Sequence, residues 1–401
     1  MKTIILIGDG MADSPLPDLN GLTPLMAANT PAMDQISREG RNGLFQTIES
    51  NLPAGSAVAN LSILGYDPQI DYRGRGVLEA ASLGMNLAET DLAMRINLIN
   101  VEEGRICSHS AGHISTEEAH QLIFDLQNHF RQLNITLVRG LSYRHVLVVP
   151  NGDANLKCAP PHNHVGEPMS ELLVQPLSPQ AKSTSDLLNR LIADSQTFLR
   201  DHPINRKRMA DGLQPGNSLW PWSPGLRPKM VTFQERFGIH GAVITAVDVI
   251  KGLGIYAGFD VIPVKGATGL FDTNYEGKAD ACLKALEDYD LVYVHVEAPD
   301  EAGHQQDLEL KIRCIEALDK RLIQRVLNGL QDNQLQPVVA LLPDHPTPVA
   351  LGTHTRDPVP VAIRDPIAEP DSVDHFDEVS AKSGELGLLT GADFINLVLR
   401  K

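Results

Sequence analysis

Three strongly apolar runs in this 401-residue chain end at an aspartate: "TIILIG" at Asp9, "LVYVHVEAP" at Asp300 and "PVVALLP" at Asp344. A strand with one wet face alternates apolar and polar residues. Runs this apolar must be covered on both faces, as the central strands of a mostly parallel sheet flanked by helices are. Helical stretches such as "NYEGKADACLKALED" and "DLELKIRCIEALDKRLIQRVLNGL" lie between strand-like segments. The expected class is therefore α/β, with helices on both faces of the sheet. In such a sheet the residues just beyond the carboxyl ends of the strands share one edge, where ligands collect.

The local signals divide the chain. Residues 3–7 read as the first strand. "NTPAMDQISREG" reads as a helix, with Thr30 as N-cap, Pro31 at its first position and Gly40 as its stop. "PAGSAVANLSILGYDP" is a glycine turn opening a helix, which places Ser56 at a helix N-terminus. From about residue 92 the pattern changes. "LAMRINLINVEEGRICS" reads as a hairpin, "STEEAHQLIFDLQNHFRQL" as an amphipathic helix starting at Ser115, and "YRHVLVVPNG" as another strand. This compact mixture predicts a smaller α+β domain at 91–182, inserted into a core made of 1–90 and 183–401.

The chemistry-bearing residues cluster at strand ends. Asp300 and His304 are four apart, so one helical turn presents both to one ion. Asp344 and His345 follow another apolar run, and His354 lies nine residues beyond His345 across a loop stiffened by Pro346 and Pro348. With Asp9 and Ser56 these make a set of carboxylates, imidazoles and one hydroxyl suited to Mn²⁺, Zn²⁺ or Mg²⁺. Such a set can also activate Ser56 as a nucleophile. Three competing motifs fail. A dinucleotide fingerprint after the first strand would need glycine where Asp13 stands, "AGSAV" lacks the glycines of a hydrolase elbow, and no Gly-Lys-Ser/Thr triplet follows "GATG".

A formal net charge of −16 argues against a nucleic-acid partner, because phosphate backbones are bound through basic surface. Cys107, Cys158, Cys282 and Cys314 form no CxxC pair, which suggests reduced thiols. The opening apolar run is too short for a signal peptide, and no stretch has the length of a transmembrane helix. The expectation is a cytoplasmic protein without a membrane partner.

Across "ILIGDGMAD", "LTPLMAANTPAMD", "PAGSAVANLSILGYDP", "YRGRGVLEA", "DEAGHQQDLELKI" and "PDHPTPVALGTHTRDPVP" the chain resembles the archaeal-type cofactor-independent phosphoglycerate mutases of the alkaline phosphatase superfamily. The resemblance runs essentially end to end. It implies an alkaline-phosphatase-like fold, a phosphoserine formed on Ser56 and two divalent ions. One ion would be held by Asp9, Ser56, Asp344 and His345, the other by Asp300, His304 and His354. The implied substrate is a small phosphorylated or hydroxylated metabolite, and the implied reaction interconverts 3-phosphoglycerate and 2-phosphoglycerate. The insert would close over the site and exclude water.

Two segments depart from the family pattern. Where the family shows "DRRAGRI" this chain has "CSHSAGHIS", and where it shows "LLLRGAG" this chain has "LWPWSPG". Expected guanidinium forks are thus missing, and histidine does not replace a bidentate, permanently charged arginine. The remaining substrate-binding candidates are Arg75, Arg95, His109, His113, Arg144 and His162. The same departure resembles a bacterial subgroup proposed to act as homoserine kinase, which leaves homoserine, or simple phosphatase action, as alternatives to the mutase reading.

Overall fold

The computed structural model describes residues 2–401. Its contacts group into two compact units, Met1–Tyr72 with Lys229–Lys401, and Arg73–Pro228.

The first unit is built on an eight-stranded sheet. Its strands are β1 (Thr3–Gly8), β2 (Arg41–Gln46), β3 (Gly241–Ile244), β4 (Asp260–Val261), β5 (Leu291–Val296), β6 (Val338–Leu342), β7 (Val359–Arg364) and β8 (Gly387–Thr390). Their order across the sheet is β4-β3-β5-β1-β6-β7-β2-β8. All neighbours are parallel except β7, which runs against both β6 and β2. The apolar runs are covered on both faces. Ile4, Leu6, Val292, Val294, Val339 and Leu341 pack into one core cluster, while Ile5, Ile7, Leu291, Tyr293, Ala340 and Leu342 pack into the other. Truncating one of the isoleucines or leucines among them to alanine typically costs about 2–5 kcal/mol.

The register of the three central strands positions the site. Gly8 pairs with Val296 and Ile7 with Leu342, so β5, β1 and β6 end level with one another. Asp9, the turn at Asp300 and the pair Asp344-His345 therefore emerge side by side at one sheet edge.

Two expectations about helices are refined. The helix Pro31–Arg38 does start after Thr30, but the Thr30 side chain caps nothing. Its free N–H groups are met from far away by Asp319, which accepts from Ala32 and Met33. The long helix expected after Asp307 is interrupted: α-helical Leu308–Ala317 passes through a π segment, Leu318–Ile323, before Gln324–Asp332.

The second unit is larger than the sequence suggested. Its boundaries fall at residues 73 and 228, where 91 and 182 were expected. The reason is packing on the long strand Leu92–Glu102. Helix Arg75–Ser82 precedes this strand and places Gly76 against Met94 so closely that a Cβ would sit 2.7 Å from its backbone. Strand Ser218–Leu226 pairs antiparallel along it, from Leu92↔Leu226 to Ile99↔Ser218. Helix Lys182–Leu199, expected to reopen the core, instead buries Leu188, Leu191 and Leu199 with Leu92, Met94 and Ile96. Pro221 and Pro224 are tolerated within this strand because it has one neighbour in its sheet. The hairpin Leu92–Glu102 with Arg105–Ser108, and the helix Thr116–His129 capped by Ser115, form as expected.

Candidate metal centre

Each segment that carries a candidate ligand is fixed by its own backbone. Gly10 follows Asp9 with φ +60, and a Cβ there would lie 2.5 Å from Asp300 Oδ1, so only glycine lets the first and fifth strand ends approach this closely. After β5 the chain turns into the short helix Ala298–His304, which puts Asp300 and His304 on one face. Ser56 is the first residue of helix Ser56–Ile63, all of whose side chains are buried.

The seven residues read from the sequence meet in one continuous constellation. His304 Nε2 is 3.2 Å from Asp300 Oδ2 and 2.9 Å from His354 Nε2, and His354 Nε2 is 3.4 Å from Asp300 Oδ1. His345 Nε2 lies 3.4 Å from Asp9 Oδ1, 3.7 Å from Asp344 Oδ2 and 3.2 Å from Ser56 Oγ. The His345 and His354 rings, 4.2 Å between centroids, join the two halves.

Supporting groups hold these side chains. Asp344 accepts from the N–H groups of Gly10 and His345 on one oxygen and from the Asn60 amide on the other. The Tyr293 hydroxyl donates to Asn60 in turn. His304 Nδ1 is 3.0 Å from the Gly352 carbonyl and His345 Nδ1 is 3.3 Å from Thr347 Oγ1. Each ring thus directs its other nitrogen into the site, as metal-binding histidines do. Lys311, fully buried, donates to Asp13, Ala12 O and Thr347 O, and so ties the loop after β1 to the loop after β6.

The electrostatics call for cations. Asp9, Asp300 and Asp344 are buried together, and neither oxygen of Asp9 has a hydrogen-bond donor among the described residues. Burial, then the charges of Asp344, Asp300 and Glu297, push the Asp9 carboxyl well above its ordinary range. Asp300 goes the other way. Burial pushes it up, but hydrogen bonds from His304 and His354 prevail and hold it well below the usual value. The Asp300 hydrogen bond in turn raises His304 to about 9, against the opposing effect of burial. Hard oxygen and borderline nitrogen donors, with orphaned buried carboxylate oxygens among them, fit divalent metal ions. Ligand atoms lie within 4.8 Å of one another in three groups: Asp300, His304 and His354; Asp9, Asp300 and His345; and Asp9, His295 and Asp344.

His295, Lys311 and Asn60 were missed from the sequence. His295 had one readable signal, an imidazole inside the otherwise apolar "LVYVHV", which marks a buried polar group needing a partner.

The substrate-binding candidates form their own cluster within the second unit. The His162 ring is 6.3 Å from that of His109 and 5.3 Å from Trp222, and Tyr143 lies 5.6 Å from His109. Arg95 sits 4.5 Å over Trp222 but is ion-paired to Glu79 at 3.0 Å, so its charge is already matched. Arg144 lies over Tyr143 at 5.3 Å. Burial first, then neighbouring basic side chains, lowers the pKa of His109 and of His162 below the ordinary imidazole value. Those neighbours include His113 and Arg144 for His109, and Arg95 and Arg75 for His162. Trp220 is a core residue donating to Ala159 O, and His164 is a loop residue paired with Glu167.

A mostly parallel sheet with carboxylates, imidazoles and a buried serine gathered at one edge defines an α/β protein with a candidate cation site beside a buried serine. A family model described as 2,3-bisphosphoglycerate-independent phosphoglycerate mutase matches residues 37–205. The chain is 49% identical over 402 residues to a protein of that name from Methanosarcina acetivorans, with all of both chains covered. It is 45% identical over 404 residues to a probable 2,3-bisphosphoglycerate-independent phosphoglycerate mutase from Geobacter sulfurreducens, again over the whole of both. Among solved structures it is similar to a Pyrococcus horikoshii protein, with TM-score 0.85 and 32% identity, covering 100% of this chain and 96% of that one. A cofactor-independent phosphoglycerate mutase from Thermoplasma acidophilum matches with TM-score 0.69 and 28% identity, covering 100% and 99%. The chain belongs to the 2,3-bisphosphoglycerate-independent phosphoglycerate mutase family.

Proposed function

We propose that this protein is a metal-dependent phosphotransferase that interconverts 3-phosphoglycerate and 2-phosphoglycerate through a phosphoserine on Ser56. The observation that carries the reading is the placement of Ser56 Oγ, 3.2 Å from His345 Nε2 at the start of a buried helix. Asp9, Ser56, Asp344 and His345 would hold one divalent ion, and Asp300, His304 and His354 a second. The hard-to-borderline donors favour Mn²⁺, with Zn²⁺ and Mg²⁺ as the other candidates. Bound there, such ions lower the pKa of a hydroxyl and offset charge on a transferring phosphoryl group.

The chain's own groups account for the rest. Ser56 Oγ attacks phosphorus, the bond from phosphorus to the glycerate oxygen breaks, and that oxygen takes a proton. The oxygen of the neighbouring glycerate hydroxyl then attacks phosphoserine, the bond from phosphorus to Ser56 Oγ breaks, and Ser56 Oγ regains a proton as the hydroxyl loses one, leaving the phosphoryl group on the oxygen of the other carbon. The N-terminal end of helix Ser56–Ile63 places its positive dipole end toward the phosphoryl charge. In the second unit, Arg75 and Arg144 with His109, His113 and His162 are our candidates for recognising the glycerate portion. Arg95, matched by Glu79, is assigned to packing.

The test is intact-protein mass spectrometry of Mn²⁺-loaded protein after brief exposure to 3-phosphoglycerate, with a parallel arm offering homoserine and a phosphoryl donor. One added phosphoryl group is expected in the wild type and none in Ser56→Ala, with mutase turnover lost in that variant. Retained mutase turnover in Ser56→Ala would overturn the mechanism. Phosphorylated homoserine without any phosphoglycerate conversion would overturn the substrate.

A further inference from the structure

We propose that His295 is a further protein ligand of the ion beside the nucleophile, so that Asp9, Ser56, Asp344, His345 and His295 converge on one cation. The inference rests on the two-ion reading above and adds a residue that the family resemblance does not supply.

His295 is the fifth residue of β5, the strand whose end delivers Asp300, and it is fully buried. Its Nε2 lies 3.2 Å from Asp9 Oδ2, yet it donates no hydrogen bond there, and no other partner among the described residues meets it. Both oxygens of Asp9 are equally without a donor. Three orphaned polar atoms buried side by side are costly unless something outside the protein's own donors satisfies them. A proton on Nε2 aimed at Asp9 would relieve two of the three, but the ring is not aligned for that bond. A cation accepting the nitrogen lone pair and the carboxylate oxygens together satisfies all three.

The second nitrogen supports the assignment. His295 Nδ1 is 3.4 Å from Thr245 Oγ1, the same arrangement that His304 makes with Gly352 O and His345 with Thr347 Oγ1. An Nδ1–H directed at an oxygen acceptor leaves Nε2 free to bind metal. Asp9 is thereby flanked symmetrically, Oδ1 facing His345 at 3.4 Å and Oδ2 facing His295 at 3.2 Å. Ligand atoms of Asp9, His295 and Asp344 all lie within 4.8 Å of one another. Lys278 steadies the strand at this point by donating from Nζ to the His295 carbonyl at 2.9 Å.

This assignment has a consequence for metal choice. Four protein donors would suit tetrahedral Zn²⁺, whereas five, two of them imidazoles, favour an ion that accepts higher coordination, such as Mn²⁺.

Crystals of the full-length protein loaded with Mn²⁺, measured at the manganese absorption edge, test the point directly. The expected result is an anomalous peak next to Asp9 within about 2.3 Å of His295 Nε2, close to ordinary metal–imidazole distances. A peak held by Asp9, Asp344 and His345 with Nε2 beyond about 3 Å would overturn this inference and leave the two-ion reading intact. No peak beside Asp9 would overturn both. In solution, His295→Gln should lose one imidazole nitrogen coupling in pulsed EPR of bound Mn²⁺. It should also bind the ion beside Ser56 at least about tenfold more weakly, while the ion at Asp300 binds as in the wild type. An unchanged nitrogen count and unchanged affinity in a folded variant would again reject the assignment. If the variant does not fold, the wild-type map decides.

Discussion

Lys311 has no exposure to water, and all its hydrogen bonds go to two loops that carry proposed ligands. Burial lowers its pKa, and the Asp13 charge opposes that shift. Replacing Lys311 with Met would leave Asp13 buried without its cation, which typically costs 3–5 kcal/mol. Urea denaturation of Lys311→Met should show a loss of that order, and the double variant Lys311→Met/Asp13→Leu should recover much of it. A Lys311→Met midpoint equal to the wild type would mean that the pair does not hold the two loops. The same residue shows where sequence reading stops. Asp9, Asp300, Asp344 and His345 were legible because they follow apolar runs, and His304 because it lies one helical turn past Asp300. Lys311 sits in "DLELKIRC", which looks like any charged helix face, and its partner is 298 residues away. The ion pair of Arg95 was hidden for the same reason: nothing in the sequence reveals that Glu79 lies beside it.

Elements were legible where their signals were local and less so where tertiary partners intervened. Ser115 caps its helix as read, because the Ser115 hydroxyl and the Glu118 N–H are three residues apart. The Pro31–Arg38 helix obeys the same start signal at Thr30, but its N–H groups are satisfied by Asp319 from within the π segment. A π turn inserts an extra residue and so rotates the following side chains, which no periodicity argument anticipates. Removing a capping side chain costs about 0.5–2 kcal/mol. Asp319→Ala should therefore lose about that much unfolding free energy in urea denaturation, with faster amide exchange at Ala32 and Met33. Asp319→Asn keeps one acceptor and should fall between the two. Wild-type stability in Asp319→Ala would assign the cap to solvent. The second unit's extent was hidden at this scale too, since a proline-bearing strand and a helix on the far side of it carry no mark of which sheet they join.

At the scale of the whole molecule, the chain carries a formal charge of −16 and concentrates three buried carboxylates at one sheet edge. Ions bound there stabilise the folded state by mass action, about 2.7 kcal/mol for each site at a free concentration one hundred times its Kd. Exhaustive chelation should therefore lower the thermal midpoint, and Mn²⁺ should restore it in proportion to the ions counted by elemental analysis. An unchanged midpoint after verified metal removal would contradict a cation-bound site. Acid acts through a different group. His145, buried in the second unit, has its pKa lowered to about 3 by burial and by His120. The unfolded chain protonates this imidazole near its ordinary 6.5, so between 6.5 and about 3 the unfolded state holds the extra proton. The stability His145 contributes is complete above 6.5 and is lost as pH falls toward 3, at up to about 1.4 kcal/mol per pH unit. Chelated protein isolates this effect from metal release. His145→Gln in that state should flatten the fall in stability below pH 6.5, measured by urea midpoints at successive pH values. An identical slope in the variant would move the acid sensitivity to other buried groups.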